Sequence, residues 1–144
     1  MRVLGVDLGR RRVGLAISDP SGTIARPLRT LQVTSAADAV ACVVAEVDRL
    51  RAEGDGLAVI VVGLPTRLDG TPSTETPHVA AFIDALAART LLPVVSGDER
   101  LTSREAESRL AVSERDWRKR KRDLDAAAAA IILQDYLDRD GRAL

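Results

Sequence analysis

The chain is predicted to fold as a single α/β domain: a five-stranded mixed sheet flanked by helices on both faces, in the order βββ-α-β-α-β-α-α. Three observations predict it. Three extended segments follow one another closely at the N-terminus, as in an antiparallel meander. The run Leu57 to Val62 is almost entirely apolar, the mark of a strand covered on both faces. Between and after the later strands, apolar residues recur with the helical period. At 144 residues the whole chain, 1–144, fits one domain, because a single core organises on the order of 100 to 150 residues before splitting.

Arg2 to Val6 is the first expected strand and Val13 to Ser18 the second, joined through Gly9 and three arginines. Asp19-Pro-Ser-Gly22 has the composition of a turn, and Thr23 to Leu31 is the third extended segment. Ser35 with Asp38 marks a helix start, after which Val40, Val43, Val44, Val47 and Leu50 line one face. Gly54 and Gly56 end that helix. The buried strand Leu57 to Val62 follows, then a second helix through Val79, Phe82, Ile83 and Leu86, whose start Pro72 and Pro77 should delay. Pro93 to Ser96 is the last strand. Thr102-Ser-Arg-Glu105 is a capping box for a third helix, and Leu124, Ile131, Ile132 and Leu137 place a fourth over about Asp123 to Asp138. The alanines Ala126 to Ala130 favour a helix that approaches the sheet closely.

Composition narrows the function classes. Lysine and arginine total 21, as do aspartate and glutamate, so only the distribution of charge can point to a nucleic-acid partner. Phe82, Trp117 and Tyr136 are the only aromatics, too few for base stacking to be the main grip on a nucleic acid. The lone Cys42, set among valines, suits a small buried hydrophobe and a reducing compartment. The apolar run before Asp7 is too short for a signal peptide or a membrane span, so a cytoplasmic, membrane-free protein is expected.

Three acidic positions stand at element ends: Asp7 closing the first strand, Asp98-Glu99 just beyond the last, and Asp125 in the first turn of the last helix. Strand ends and helix starts can hold carboxylates toward one point. Mg²⁺ takes hard oxygen ligands and retains waters, so two or three carboxylates plus a substrate phosphate suffice; Mn²⁺ is the natural substitute. Two such ions about 4 Å apart can activate a water and stabilise a leaving oxygen. Each acid also has a plain structural reading, and Asp125 would interact favourably with a helix dipole with no metal at all. Only their convergence makes a site. His78, the only histidine, sits beside Pro77 at a helix start and reads as a surface residue, which leaves no rival Ser-His or Cys-His arrangement.

Positive charge gathers beside these acids. Arg10-Arg11-Arg12 follows Asp7, and Arg118-Lys119-Arg120-Lys121-Arg122 precedes Asp125. Phosphate contacts from such runs give sequence-independent, salt-sensitive affinity. Trp117 could stack on a base or anchor a loop. The loop Gly63-Leu-Pro65 with Asp69-Gly70 follows the buried strand, where ligands gather in sheets of this kind; Asp69 reads as a turn former.

Several segments together resemble the YqgF, or RuvX, family of pre-16S rRNA nucleases and Holliday junction resolvases. They are Gly5-Val-Asp-Leu-Gly9 with Arg12-Val-Gly-Leu-Ala-Ile-Ser-Asp19; Val62-Gly-Leu-Pro65 with Leu68-Asp-Gly-Thr71; Asp98-Glu-Arg-Leu-Thr-Ser103; and Leu124-Asp-Ala-Ala-Ala128 leading into Ile131-Ile-Leu-Gln-Asp-Tyr-Leu137. The resemblance covers almost the whole chain in order. It implies a ribonuclease H-like fold and a metal-dependent nuclease with Asp7, Glu99 and Asp125 as catalytic and metal-binding residues. The implied partner is structured RNA, in 5′-end maturation of precursor 16S rRNA and in association with pre-ribosomal particles. The alternative is branched DNA cut by a homodimeric resolvase, and a non-catalytic nucleic-acid-binding module is a lesser one. Adjacent side chains of an extended segment point oppositely, so one of Asp98 and Glu99 should face the metal; the resemblance favours Glu99.

Overall fold

The computed structural model describes residues 1–65, 69, 71–98 and 117–142, with the backbone alone for 98, 117–123 and 140–142. Five strands and three helices occupy these stretches: β1 (Arg2–Leu8), β2 (Arg12–Ser18), β3 (Ala25–Gln32), α1 (Ala36–Ala52), β4 (Leu57–Leu64), α2 (Thr76–Ala87), β5 (Val94–Asp98) and α3 (Trp117–Arg142). The strands form one mixed sheet in the order β3-β2-β1-β4-β5. β2 is antiparallel to both β1 and β3, whereas β4 runs parallel to β1 and β5 parallel to β4. A five-stranded mixed sheet that opens on an antiparallel meander is the predicted architecture. The capping box at Thr102 to Glu105, and with it the expected third helix, lies outside the described residues.

Side-chain alternation sorts the sheet into two faces. Leu4, Val6, Leu15, Ile17, Ile60 and Val62 pack on one face against Val43, Val47 and Leu50 of α1 and Val79, Phe82 and Leu86 of α2. Val3, Ala16 and Val61 pack on the other against Ala129, Ile132, Leu133 and Leu137 of α3. β4 contributes to both cores, as its continuous apolar run requires.

Helix ends follow their local chemistry. Ser35 caps α1 by accepting from the amide of Asp38 at 3.0 Å, and α2 opens late, at Thr76 with Pro77 in its first turn. The last helix departs from expectation: it begins at Trp117, well before Asp123. The run Arg118 to Arg122 is therefore helical, because lysine and arginine are strong helix formers even where no apolar period announces them. Asp125 accordingly lies inside α3 rather than in its first turn, so helix-dipole stabilisation does not explain it.

Arg2 ties β1 to the far side of α1. Its Nη2 donates to the carbonyl of Leu50 at 3.1 Å, its Nε to the carbonyl of Gly56 at 3.1 Å, and its Nη1 to Glu53 Oε2 at 3.3 Å. The side chain is buried, so it serves as a cationic cap on carbonyls at the C-terminal end of the helix. Arg2→Met should cost about 3 kcal/mol, since it strips charged donors from buried acceptors, and lower Tm by roughly 6–12 °C. A thermal melt with a shift under about 2 °C would show that water serves these carbonyls equally well.

Candidate active site

The C-terminal ends of the parallel strands β1, β4 and β5 share one edge of the sheet, and β2, being antiparallel to β1, begins there. Asp7 lies one residue from the end of β1, opposite Gly14 of β2. Directly opposed residues of an antiparallel pair send their side chains to the same face, with Cα atoms about 4.5–5.5 Å apart. Gly14 faces α3: a Cβ built on it would stand 2.0 Å from the carbonyl oxygen of Asp125 and 3.0 Å from the amide nitrogen of Ala126. Only hydrogen fits between strand and helix at this point. Asp7 and Asp125 are thus neighbours across one contact, although 118 positions separate them in the sequence (125 − 7).

The close approach continues down the helix. A Cβ on Gly5 would stand 2.8 Å from Leu133 Cβ and 3.0 Å from the carbonyl oxygen of Ala129, and Ala126, Ala128 and Ala129 are buried. Small residues on both partners set the helix low on the sheet, which carries Asp125 to the level of Asp7. The alanine run predicts half of this contact. Its glycine counterpart on β1 and β2 carries no comparable signal, because a lone glycine within a strand pattern also reads as a bulge.

Arg12, the first residue of β2, lies on the face of Gly14. Its Nε donates to Asp125 Oδ2 at 2.7 Å, and both side chains are about three-quarters buried, at 29% and 26% exposure. Arg10 instead pairs with Glu75 at the start of α2, at 3.2 Å between exposed groups. Arg11 is exposed, and its carbonyl accepts from Val33. Of the arginine run expected to hold nucleic acid, two members are therefore engaged by carboxylates. The second run, Arg118 to Arg122, lies on the opening turns of α3, upstream of Asp125. Gly9 closes the β1–β2 turn, its amide donating to the carbonyl of Arg12 at 2.8 Å; a Cβ there would stand 2.7 Å from that oxygen.

Several other polar residues hold turns and loops. Asp69 Oδ1 accepts from the amide of Thr71 at 3.0 Å and from its hydroxyl at 2.7 Å, the turn geometry expected of it. The carbonyl of Pro65 accepts from Ser73 and Thr76 hydroxyls, holding the loop after β4 against the start of α2. Asp19 folds the β2–β3 turn: hydrogen bonds from the amide of Ile24, the hydroxyl of Ser21 and the amide of Thr23 hold its carboxyl far below the usual range. Burial and the adjacent Asp38 push the Cys42 thiol up, which fits a packing residue rather than a nucleophile. His78 is half-buried on the first turn of α2. Asp98 ends β5 instead of lying beyond it, and Glu99 lies outside the described residues. Among the described residues no three His, Cys, Asp or Glu gather as metal ligands; of the three expected ligands, the backbone positions of Asp7 and Asp125 are brought together through Gly14. As hard oxygen donors at one sheet edge, they suit a divalent ion such as Mg²⁺.

Comparison with known proteins gives concordant matches. The model of the family described as RuvX, Holliday junction resolvase, matches residues 1–139. A protein of Desulforudis audaxviator is 36% identical over 138 residues, covering 96% of this chain and 94% of that protein. One of Chloroflexus aggregans is 43% identical over 136 residues, covering 94% and 92%. Both carry the name "Putative pre-16S rRNA nuclease". Among solved structures, Thermus thermophilus RuvC in complex with Holliday junction substrate matches at TM-score 0.54 and 18% identity, over 98% of this chain and 96% of that one. The yeast mitochondrial Holliday junction resolvase Ydc2 matches at TM-score 0.53 and 14% identity, over 94% and 77%. At those identities the likeness is one of fold, and it bears out the ribonuclease H-like architecture implied by the sequence motifs. No helix among the described residues is long and apolar enough to cross a membrane.

Proposed function

The chain belongs to the RuvX family, and from that membership we propose that it is a metal-dependent nuclease hydrolysing phosphodiester bonds in precursor 16S rRNA. The observation that carries the reading is the meeting of Asp7 and Asp125 over the bare Gly14. A strand end and the interior of a packed helix are both rigid, so the backbone that carries the two acids is fixed before any ligand arrives. A bound Mg²⁺ or Mn²⁺ would polarise the phosphate and activate a water. Asp7 and Asp125 would hold the ion and, through it, the scissile phosphate in place. Glu99 is proposed as the third ligand. On β5, Val95 and Gly97 face α3, the side of Asp7, whereas Val94 faces the α1–α2 side.

The arginines and lysines from 118 to 122 are proposed to hold the nucleic-acid backbone, and a precursor-rRNA substrate would place the protein in the cytoplasm beside pre-ribosomal particles. The family description favours one other reading, a Holliday junction resolvase. The same carboxylates would serve, and a dimer would be needed to make paired cuts.

The test sets a precursor-rRNA fragment, a four-way DNA junction and ATP side by side with Mg²⁺, for wild type, Asp98→Ala and Glu99→Ala. Wild type should cut the RNA, Glu99→Ala should lose nearly all turnover, and Asp98→Ala much less. Preferential cutting of the junction transfers the proposal to the resolvase reading. Hydrolysis of ATP alone would end it, and a larger defect in Asp98→Ala would move the ligand role to Asp98.

A further inference from the structure

Arg12 and a divalent ion have claims on the same carboxylate. Arg12 enters β2 two residues before Gly14 and so lies on the same face, beneath the turn of α3 that carries Asp125. The 2.7 Å contact from Nε to Oδ2 joins residues 113 apart in the sequence. Both partners sit on regular elements and are largely shielded from solvent, which distinguishes this pair from the exposed Arg10–Glu75 pair on the same turn. Two carboxylates drawn together with no positive charge between them would repel each other and loosen the helix they hold down.

We propose that Arg12 is an internal counter-ion that holds Asp125 against the sheet when no divalent ion is bound, and that the ion displaces it. The inference rests on the metal-binding reading above. It makes Arg12 a positioning residue in the metal-free protein and a competitor of the ion for Asp125. Once displaced, the guanidinium remains beside the two acids with planar N–H donors suited to a phosphate oxygen, so ion binding would turn a carboxylate clamp into a phosphate contact.

The experiment measures Mn²⁺ affinity by electron paramagnetic resonance and Tm in EDTA for wild type, Arg12→Gln, Arg12→Lys and Asp7→Asn. Arg12→Gln should bind Mn²⁺ roughly fivefold tighter, the fold-change equivalent to about 1 kcal/mol for a partly exposed ion pair. Its Tm in EDTA should fall by about 2–4 °C, and saturating Mn²⁺ should recover the loss. Arg12→Lys keeps the charge and should stay within about twofold of wild-type affinity. An unchanged or weaker affinity in Arg12→Gln, with Mn²⁺ binding still lost in Asp7→Asn, would overturn the competition and leave the metal reading standing. Absence of Mn²⁺ binding in wild type would overturn both.

Discussion

Asp7→Asn is expected to abolish cleavage while leaving the fold in place. The substitution keeps the size and planar shape of the side chain and removes the charge of a proposed metal ligand. An amide binds a divalent ion far less strongly than a carboxylate, because Mg²⁺ favours anionic oxygen and gives up its waters reluctantly. The turnover number should fall by about 10³-fold or more, on the order of the loss seen when a preorganised electrostatic contact to a transition state is removed. Stability should move in a different direction from activity. Asp7 is half-buried and lies opposite Gly14, against which the backbone of Asp125 packs, so removing its charge should relieve repulsion, and Tm in EDTA should be unchanged or slightly raised. Mg²⁺ should stabilise the wild type and not the variant. A variant that cuts at the wild-type rate in Mg²⁺, with its melt still raised by the ion, would show that Asp7 is a structural strand-end residue.

The contrast between Asp7 and Asp125 shows which parts of the site are legible in the sequence. Asp7 is announced by its position, where an apolar strand turns abruptly to glycine and arginine. Asp125 is announced only in part: the apolar period of the last helix begins at Leu124, so the sequence reads as a helix starting there with the acid in its first turn. The turns from Trp117 onward are built from charged residues, and periodicity cannot register a helix without an apolar stripe. Helix propensity summed over Arg118 to Arg122 would have detected it.

Long-range pairing is the part that local chemistry does not encode. Arg12 reads as one of three equivalent cations, and nothing within ten residues of it separates an arginine that pairs with Asp125 from one exposed to solvent. The distinction is made by parity on β2 and by the height of α3 above the sheet. That height depends on glycine and alanine at positions far apart in the chain. The mixed five-stranded sheet was accessible from connection lengths and apolar patterning; the partner of each charge was not.

The height of α3 also supplies the second large effect, at Gly14. An added methyl would stand 2.0 Å from the carbonyl oxygen and 2.4 Å from the carbonyl carbon of Asp125, and both are backbone atoms of a regular helix that no rotamer change can move. Restoring contact at about 3.5 Å requires the helix to lift by roughly 1.5 Å at this point. Gly14→Ala should therefore destabilise the protein by about 1–3 kcal/mol, the usual range for overpacking between fixed elements. Activity should suffer more than stability. Lifting Asp125 away from Asp7 and Arg12 misplaces a proposed metal ligand by more than 1 Å, a displacement associated with losses of about 10²-fold. Gly54→Ala is the control, since a Cβ there meets nothing within 4 Å. Melts and cleavage rates of the two variants at a temperature where both are folded separate the effects. Full activity in Gly14→Ala would mean that Asp125 does its work without resting on β2, and the pairing of the two acids would lose its structural basis.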